Sequence, residues 1–203
     1  MKRQRDTWEI WDITQPMNES MPIYEGDPPF SASVWTSMEQ QGYAVHELKL
    51  GTHCGTHVDA PAHYIPEGKT VDGLSLYTLC GPCYVCRLEQ LIDTIGTGRK
   101  PQTDDKMARV LFKTGRNGQQ LDLASAQVLV EEGMALVGTE EMTIGDDEVH
   151  TFLLAHDVII VENLVLSEVD KGWYHLFLLP LPLQLEAAPA RGILVRERGK
   201  DET

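Results

Sequence analysis

The densest concentration of chemistry-bearing side chains lies in residues 53–63, His-Cys-Gly-Thr-His-Val-Asp-Ala-Pro-Ala-His. Three of the chain's 7 histidines, His53, His57 and His63, fall here with Asp59 among them. All four positions are odd-numbered. In an extended segment every second side chain points to the same face. His57 and Asp59 are therefore expected to project together, with His53 joining them across the small Gly55. Imidazole and carboxylate suit a borderline divalent metal, zinc first and manganese second. Gly55 permits tight backbone geometry where ligands converge. Pro61 breaks any strand ladder and redirects the chain before His63. A purely structural role would require three neutral, hydrogen-bonded histidines buried in one short span, each costly without a partner. The cluster reads as a metal or catalytic site.

Further donors must come from downstream, and His150, His156, Glu162 and His175 are the candidates. Glu162 directly follows the apolar run Val158-Ile-Ile-Val161. A carboxylate placed there, with no neighbouring cation in sequence, needs a counter-charge that a metal would supply. Otherwise it is a strand-end residue turned to water. His156-Asp157 reads as a helix C-terminal turn, where a cationic His is favourable. His175 reads as a strand position. Cys80, Cys83 and Cys86 form C-x2-C-x2-C, part of an iron–sulfur or zinc pattern, but a fourth ligand at suitable spacing is missing. They read instead as small buried thiols on a strand, in a reducing compartment.

The elements that position these residues are mostly strands. Short runs of β-branched, aromatic and aliphatic residues bounded by Gly, Pro or Asp predict strands over 7–13, 32–36, 44–50, 82–88, 109–113, 134–137, 157–161 and 191–197. Two helices are expected. One runs over 123–132 with Asp122 as N-cap and Gly133 as stop, and a shorter one spans 148–155. Residues 97–106 read as a polar surface loop. Residues 18–29 carry Pro22, Pro28 and Pro29, which stiffen the loop that holds Tyr24 and could present its ring to a ligand. The class is α+β (mixed α/β), with a large β component.

Composition bounds the function. The 203 residues suffice for one domain with a substantial core, expected to span 1–203. The formal net charge of −14 lacks the electrostatic footprint of a nucleic-acid binder and opposes anionic membrane surfaces. A small-molecule substrate is the expected partner. No apolar run approaches a membrane span, and no signal-peptide stretch follows the basic start, so a cytoplasmic location is expected.

His53-x-Gly55-Thr56-His57-x-Asp59-x-Pro61-x-His63 resembles the signature of the cyclase-like metal-dependent hydrolases, the family of bacterial kynurenine formamidase. The resemblance continues through Trp11-Asp12-Ile13, Met21-Pro-Ile-Tyr-Glu-Gly-Asp27, Gly138-Thr139, His150, Val161-Glu162-Asn163-Leu164, Pro180 and Ala188-Pro189-Ala190-Arg191, covering about residues 9–196. It implies that His53, His57 and Asp59 bind one metal. Asp59 would bridge to a second, held by His150 and Glu162, with Glu162 contacting both. It makes His63 the proton donor and acceptor. It also implies a compact, mainly β domain with packed helices, swivelling β/β/α-like, assembled as a homodimer or larger homo-oligomer.

The chain departs from that pattern at Tyr24, where formamidases carry a pocket-lining Trp. Glu140-Glu141-Met142-Thr143 replaces a more typical Asp- and Ser-containing turn, and Ala187 stands where Gly is common. The expected activity is hydrolysis of an amide-type C–N bond, with N-formylkynurenine of tryptophan breakdown as substrate. Two readings stand beside it: ring opening of a cyclic amide, imide or lactone, and a metal-binding module without turnover. His63 separates the last, because a binding site needs no proton shuttle.

Overall fold

Alternation along the strands builds two apolar layers on the two faces of one sheet. The computed structural model describes residues 7–90 and 108–198; the expected loop at 97–106 lies outside them. The strands are β1 (Trp8–Asp12), β2 (Ser31–Thr36), β3 (Val45–Lys49), β4 (His57–Asp59), β5 (Cys80–Arg87), β6 (Ala108–Lys113), β7 (Met134–Thr139), β8 (Ile159–Glu162), β9 (Gly172–Pro180) and β10 (Ala187–Glu197). The helices are α1 (Met38–Gln41), α2 (Leu76–Leu79), α3 (Leu123–Glu131) and α4 (Asp147–Ala155). The domain is α+β, as the sequence implies.

The main sheet runs β1-β10-β4-β8-β7-β6-β5-β9, and β9 returns to pair with β10. That last pairing closes a mixed barrel. The β5–β6, β6–β7 and β7–β8 pairs are parallel and the others antiparallel. The long β10 makes closure possible: Ala187–Pro189 face β4, while the rest of the strand runs between β1 and β9.

The parallel strands are covered on both faces, as their continuous apolar runs require. Leu111, Leu136 and Val161 join Val85, Leu176 and Leu194 in the barrel interior. Val110, Val137 and Ile160 face the other way, against Leu129 of α3 and Val149 and Leu153 of α4. The same alternation separates the cysteines. Cys83 lies in the inner layer and Cys86 in the outer one, so the two cannot converge on one ion. Burial pushes the Cys86 thiol up to about 12 and the Cys83 thiol further.

Asp122 caps α3 by accepting from Ser125 N–H at 2.8 Å, as the sequence indicates. The β2–β3 pair forms a separate two-stranded arm whose residues are mostly exposed. The acidic turn after β7 has a structural use. Buried Glu140 accepts from the backbone N–H groups of Thr114, Gly115 and Leu166, tying together the ends of three segments.

Candidate metal centre

The histidine cluster is assembled from three local conformations rather than one extended run. Only His57–Asp59 forms a strand. There the alternation argument holds, and both side chains share a face. His53 arrives through a turn in which Gly55 has φ +68, a left-handed conformation that glycine adopts without strain. His63 closes a 3-10 turn begun by Pro61, whose ring fixes the first φ.

The second half of the chain supplies the remaining groups. β4 and β8 are antiparallel, with His57 opposite Glu162. His150 sits on α4, which begins at Asp147 with Asp146 as N-cap. It therefore lies within the helix, and its ring reaches Glu162 at the end of β8. His57 Nε2 lies 3.3 Å from Asp59 Oδ1 and 3.4 Å from Glu162 Oε2. His53 Nδ1 is 3.1 Å from Asp59 Oδ1. His150 Nε2 is 3.1 Å from Glu162 Oε1, which also accepts from Ile144 N–H at 2.7 Å. Two overlapping donor groups result, His53–His57–Asp59 and Asp59–His150–Glu162, each with its ligand atoms within 4.8 Å of one another.

Backbone carbonyls orient two of these rings. His57 Nδ1–H donates to Gly55 O at 2.9 Å, and His150 Nδ1–H donates to Asp146 O at 2.9 Å. Each ring thus turns Nε2 toward the acids. Burial alone would favour neutral His57, but the Asp59 and Glu162 carboxylates outweigh it and hold its pKa well above the ordinary value. His150 is likewise raised: burial opposes, and Glu162 prevails. Burial also opposes ionisation of Asp59 and Glu162, yet the neighbouring histidines hold both below the usual carboxylate range.

Despite these close approaches, His57 Nε2, Asp59 Oδ1 and Asp59 Oδ2 are buried without a hydrogen-bond partner. The atoms converge without the alignment a hydrogen bond requires. Buried polar atoms left in this state are costly. A divalent cation coordinated by imidazole nitrogens and carboxylate oxygens would satisfy all three, so the residues fit a metal. The same negative surroundings that hold protons on the histidines would hold the cation, which would displace those protons on binding.

His63 stands outside both donor groups. Its ring lies 4.4 Å from that of His53 and 6.1 Å from that of His150. Burial pushes its pKa below the ordinary value, against the pull of Asp59. These rings floor a cavity of about 500 Å³ that Tyr24, Asp27, Tyr64, Met142, Asp147 and Asn163 help to line. Tyr24 is about half exposed, at the cavity's outer wall. Tyr64 stacks on His150 at 5.2 Å and donates to Asp147 Oδ1 at 2.7 Å.

His156 and His175 belong elsewhere. His156 caps α4 and packs at a tilt beside Phe152, while His175 packs beside Phe177 on β9. Sequence reasoning missed Tyr64, Asp147 and Asn163 as cavity residues. Adjacency to His63 and Glu162 was the available signal for Tyr64 and Asn163. It also missed Glu186, whose Oε1 lies 3.7 Å from His53 Nε2 and accepts from Thr52 Oγ1.

Comparison with known proteins agrees with this architecture. The Cyclase family model matches residues 11–146. A kynurenine formamidase of Bacillus cereus is 33% identical, the match covering 93% of this chain and 98% of the relative. One from Bacillus cytotoxicus is 32% identical, covering 90% and 95%. A solved structure described as a potential metal-dependent hydrolase with cyclase activity superposes with a TM-score of 0.77 at 29% identity, over 94% of this chain and 99% of the other. An isatin hydrolase bound to the product analogue thioisatinate has a TM-score of 0.79 at 17% identity, over 95% and 94%, and shows the shared fold.

Proposed function

We propose that this chain, which belongs to the Cyclase family of metal-dependent hydrolases, hydrolyses an aryl-formamide, with N-formylkynurenine as substrate. The observation that carries the reading is the pair of overlapping donor groups sharing Asp59, with a histidine beside them that is not a donor in either. His53, His57 and Asp59 would hold one divalent ion, and Asp59, His150 and Glu162 a second. Zinc is the ion that the mixed imidazole and carboxylate set suits first, with manganese next.

Such an ion supplies Lewis acidity, lowering the pKa of water and polarising a carbonyl. The protein's own part is proton handling and orientation. His63 accepts the proton of the attacking water as oxygen bonds to the formyl carbon. It returns that proton to the amine nitrogen as the C–N bond breaks, releasing formate and an arylamine. A pKa held below the ordinary histidine value keeps the imidazole neutral and ready as a base. A metal-binding module without turnover would have no use for this residue.

The cavity wall supports the substrate class. Tyr24 offers a ring face for an aromatic substrate. Asp27, Asp146, Asp147 and Glu148 help to line the cavity, and among the described residues neither Lys nor Arg lines it. An ammonium group, as in the amino-acid part of N-formylkynurenine, suits those surroundings. Ring opening of a cyclic amide is the second reading, favoured by a cavity roomy enough for a fused bicycle.

Exposed apolar residues on β1 and β9, Trp8, Ile10, Phe177 and Leu179, support assembly with a second copy. Free Cys54, Cys80, Cys83 and Cys86 suit a cytoplasmic setting.

The test is metal analysis of protein purified without chelator, then kcat/KM for N-formylkynurenine against a panel of cyclic amides and lactones. The expected result is at least one equivalent of metal per chain and a preference for the formamide. Turnover of ring substrates alone would overturn the formamidase reading, and full activity without metal would overturn the whole mechanism.

A further inference from the structure

Asn163 follows Glu162 directly and lines the cavity. The residue as a whole is buried at 6% exposure, and its side-chain amide makes no hydrogen bond within the described residues. The amide is not sealed in the interior as His57 Nε2 and the Asp59 oxygens are; it is open to the cavity, placed to bond what the cavity holds. The backbone does not need the side chain to stay in place. Asn163 N–H donates to Glu141 O at 2.9 Å, and Asn163 O accepts from Thr56 Oγ1 at 2.6 Å.

The conformation narrows the choice of residue. Asn163 has φ +57, in the left-handed region that favours Gly and tolerates Asn and Asp. Glycine would satisfy the backbone alone. Asn satisfies it while adding a neutral N–H donor. Two other hydroxyl donors of the cavity are committed elsewhere: Tyr64 O–H donates to Asp147 and Thr143 O–H to Gly145 O. Asp59 and Glu162 are acceptors when ionised.

We infer, resting on the acyl-hydrolase reading of this site, that Asn163 is a substrate-contacting residue whose side-chain N–H donates to the substrate's acyl oxygen as negative charge grows on it. A fixed donor at that position acts most strongly in the transition state, and losing one of this kind lowers kcat by roughly 10²–10³.

The experiment compares the wild type with N163G and N163D on an aryl-formamide, alongside metal content and thermal midpoint. Glycine suits the left-handed backbone, so N163G is expected to fold and to keep its metal and midpoint. Its kcat should fall by roughly 10²–10³ with KM little changed. N163D, isosteric but without the donor, should lose at least as much. N163G activity within about 3-fold of wild type, or a loss confined to KM, would overturn the inference. So would a kcat loss that follows metal loss, because Asn163 would then act only by positioning Glu162. A wild type that opens lactones but no amide, with N163G still impaired on lactones, would keep the role of Asn163 and overturn the amide reading. A wild type that hydrolyses neither would overturn both.

Discussion

His57 and Glu162 are register partners across β4 and β8, and their side chains meet with Nε2 and Oε2 3.4 Å apart. The strand pairing thereby joins the two halves of the chain at the centre of the donor cluster. Because both residues sit on paired strands rather than loops, the cluster is held in place before any ion arrives.

Asp59→Asn should lower stability with and without metal, and more with it. The Asp59 carboxylate is buried, and in the metal-free protein it is balanced in charge by His57, whose proton it helps to hold. Calorimetry in chelator should find the variant's thermal midpoint below that of wild type, because removing one partner of a buried pair leaves the other uncompensated. With saturating metal the gap should widen, since ligand binding stabilises the form that binds it. Unchanged metal affinity in the variant would remove Asp59 from the ligand set.

His63→Ala is expected to keep its metal while kcat falls by roughly 10²–10⁴. Elemental analysis and steady-state kinetics on the same preparation make the check. Metal content falling in step with activity would make His63 a ligand instead of a proton carrier.

Gly138→Ala probes the sheet that supports Glu162. A Cβ on Gly138 would stand 2.6 Å from Leu111 Cδ2 and 2.9 Å from Leu164 Cδ1. Both neighbours belong to the closed interior cluster, where overpacking costs about 1–3 kcal/mol. Urea unfolding should show a loss of that size. A variant as stable as wild type would mean that the interior repacks freely around β7.

Asp122→Ala tests the α3 cap, worth about 0.5–2 kcal/mol near neutral pH. Hydrogen bonding from Ser125, its side chain first and its backbone N–H second, holds the Asp122 carboxyl below the ordinary 3.8. A depressed folded pKa contributes stability above the unfolded value and loses it as pH falls through the folded one. The gap between wild type and variant should therefore narrow below about pH 4. A gap independent of pH would assign the cap's value to the neutral side chain.

The sequence by itself determined the donor types, the short-range geometry and most strands. The alternation of His57 and Asp59 follows from backbone stereochemistry, and Pro61 and Gly55 punctuate it locally. The apolar runs of β6, β7 and β8 announce strands covered on both faces. The Asp122 cap is equally local. Tertiary structure decided what those elements enclose. His53 and His63 reach the site through a turn and a 3-10 turn, which a period-two rule does not describe. β4 is too short to announce itself, and its three residues become a strand because β8 and β10 pair with it. His150 and Glu162 gain their meaning from barrel closure, which brings α4 and the end of β8 against a segment from the other half of the chain. His156 and His175 carry the same side chain as His57 but face solvent or an outer apolar surface. A residue's type follows from its codon, whereas its neighbours across a sheet follow from the register of backbone hydrogen bonds formed only when the whole barrel closes.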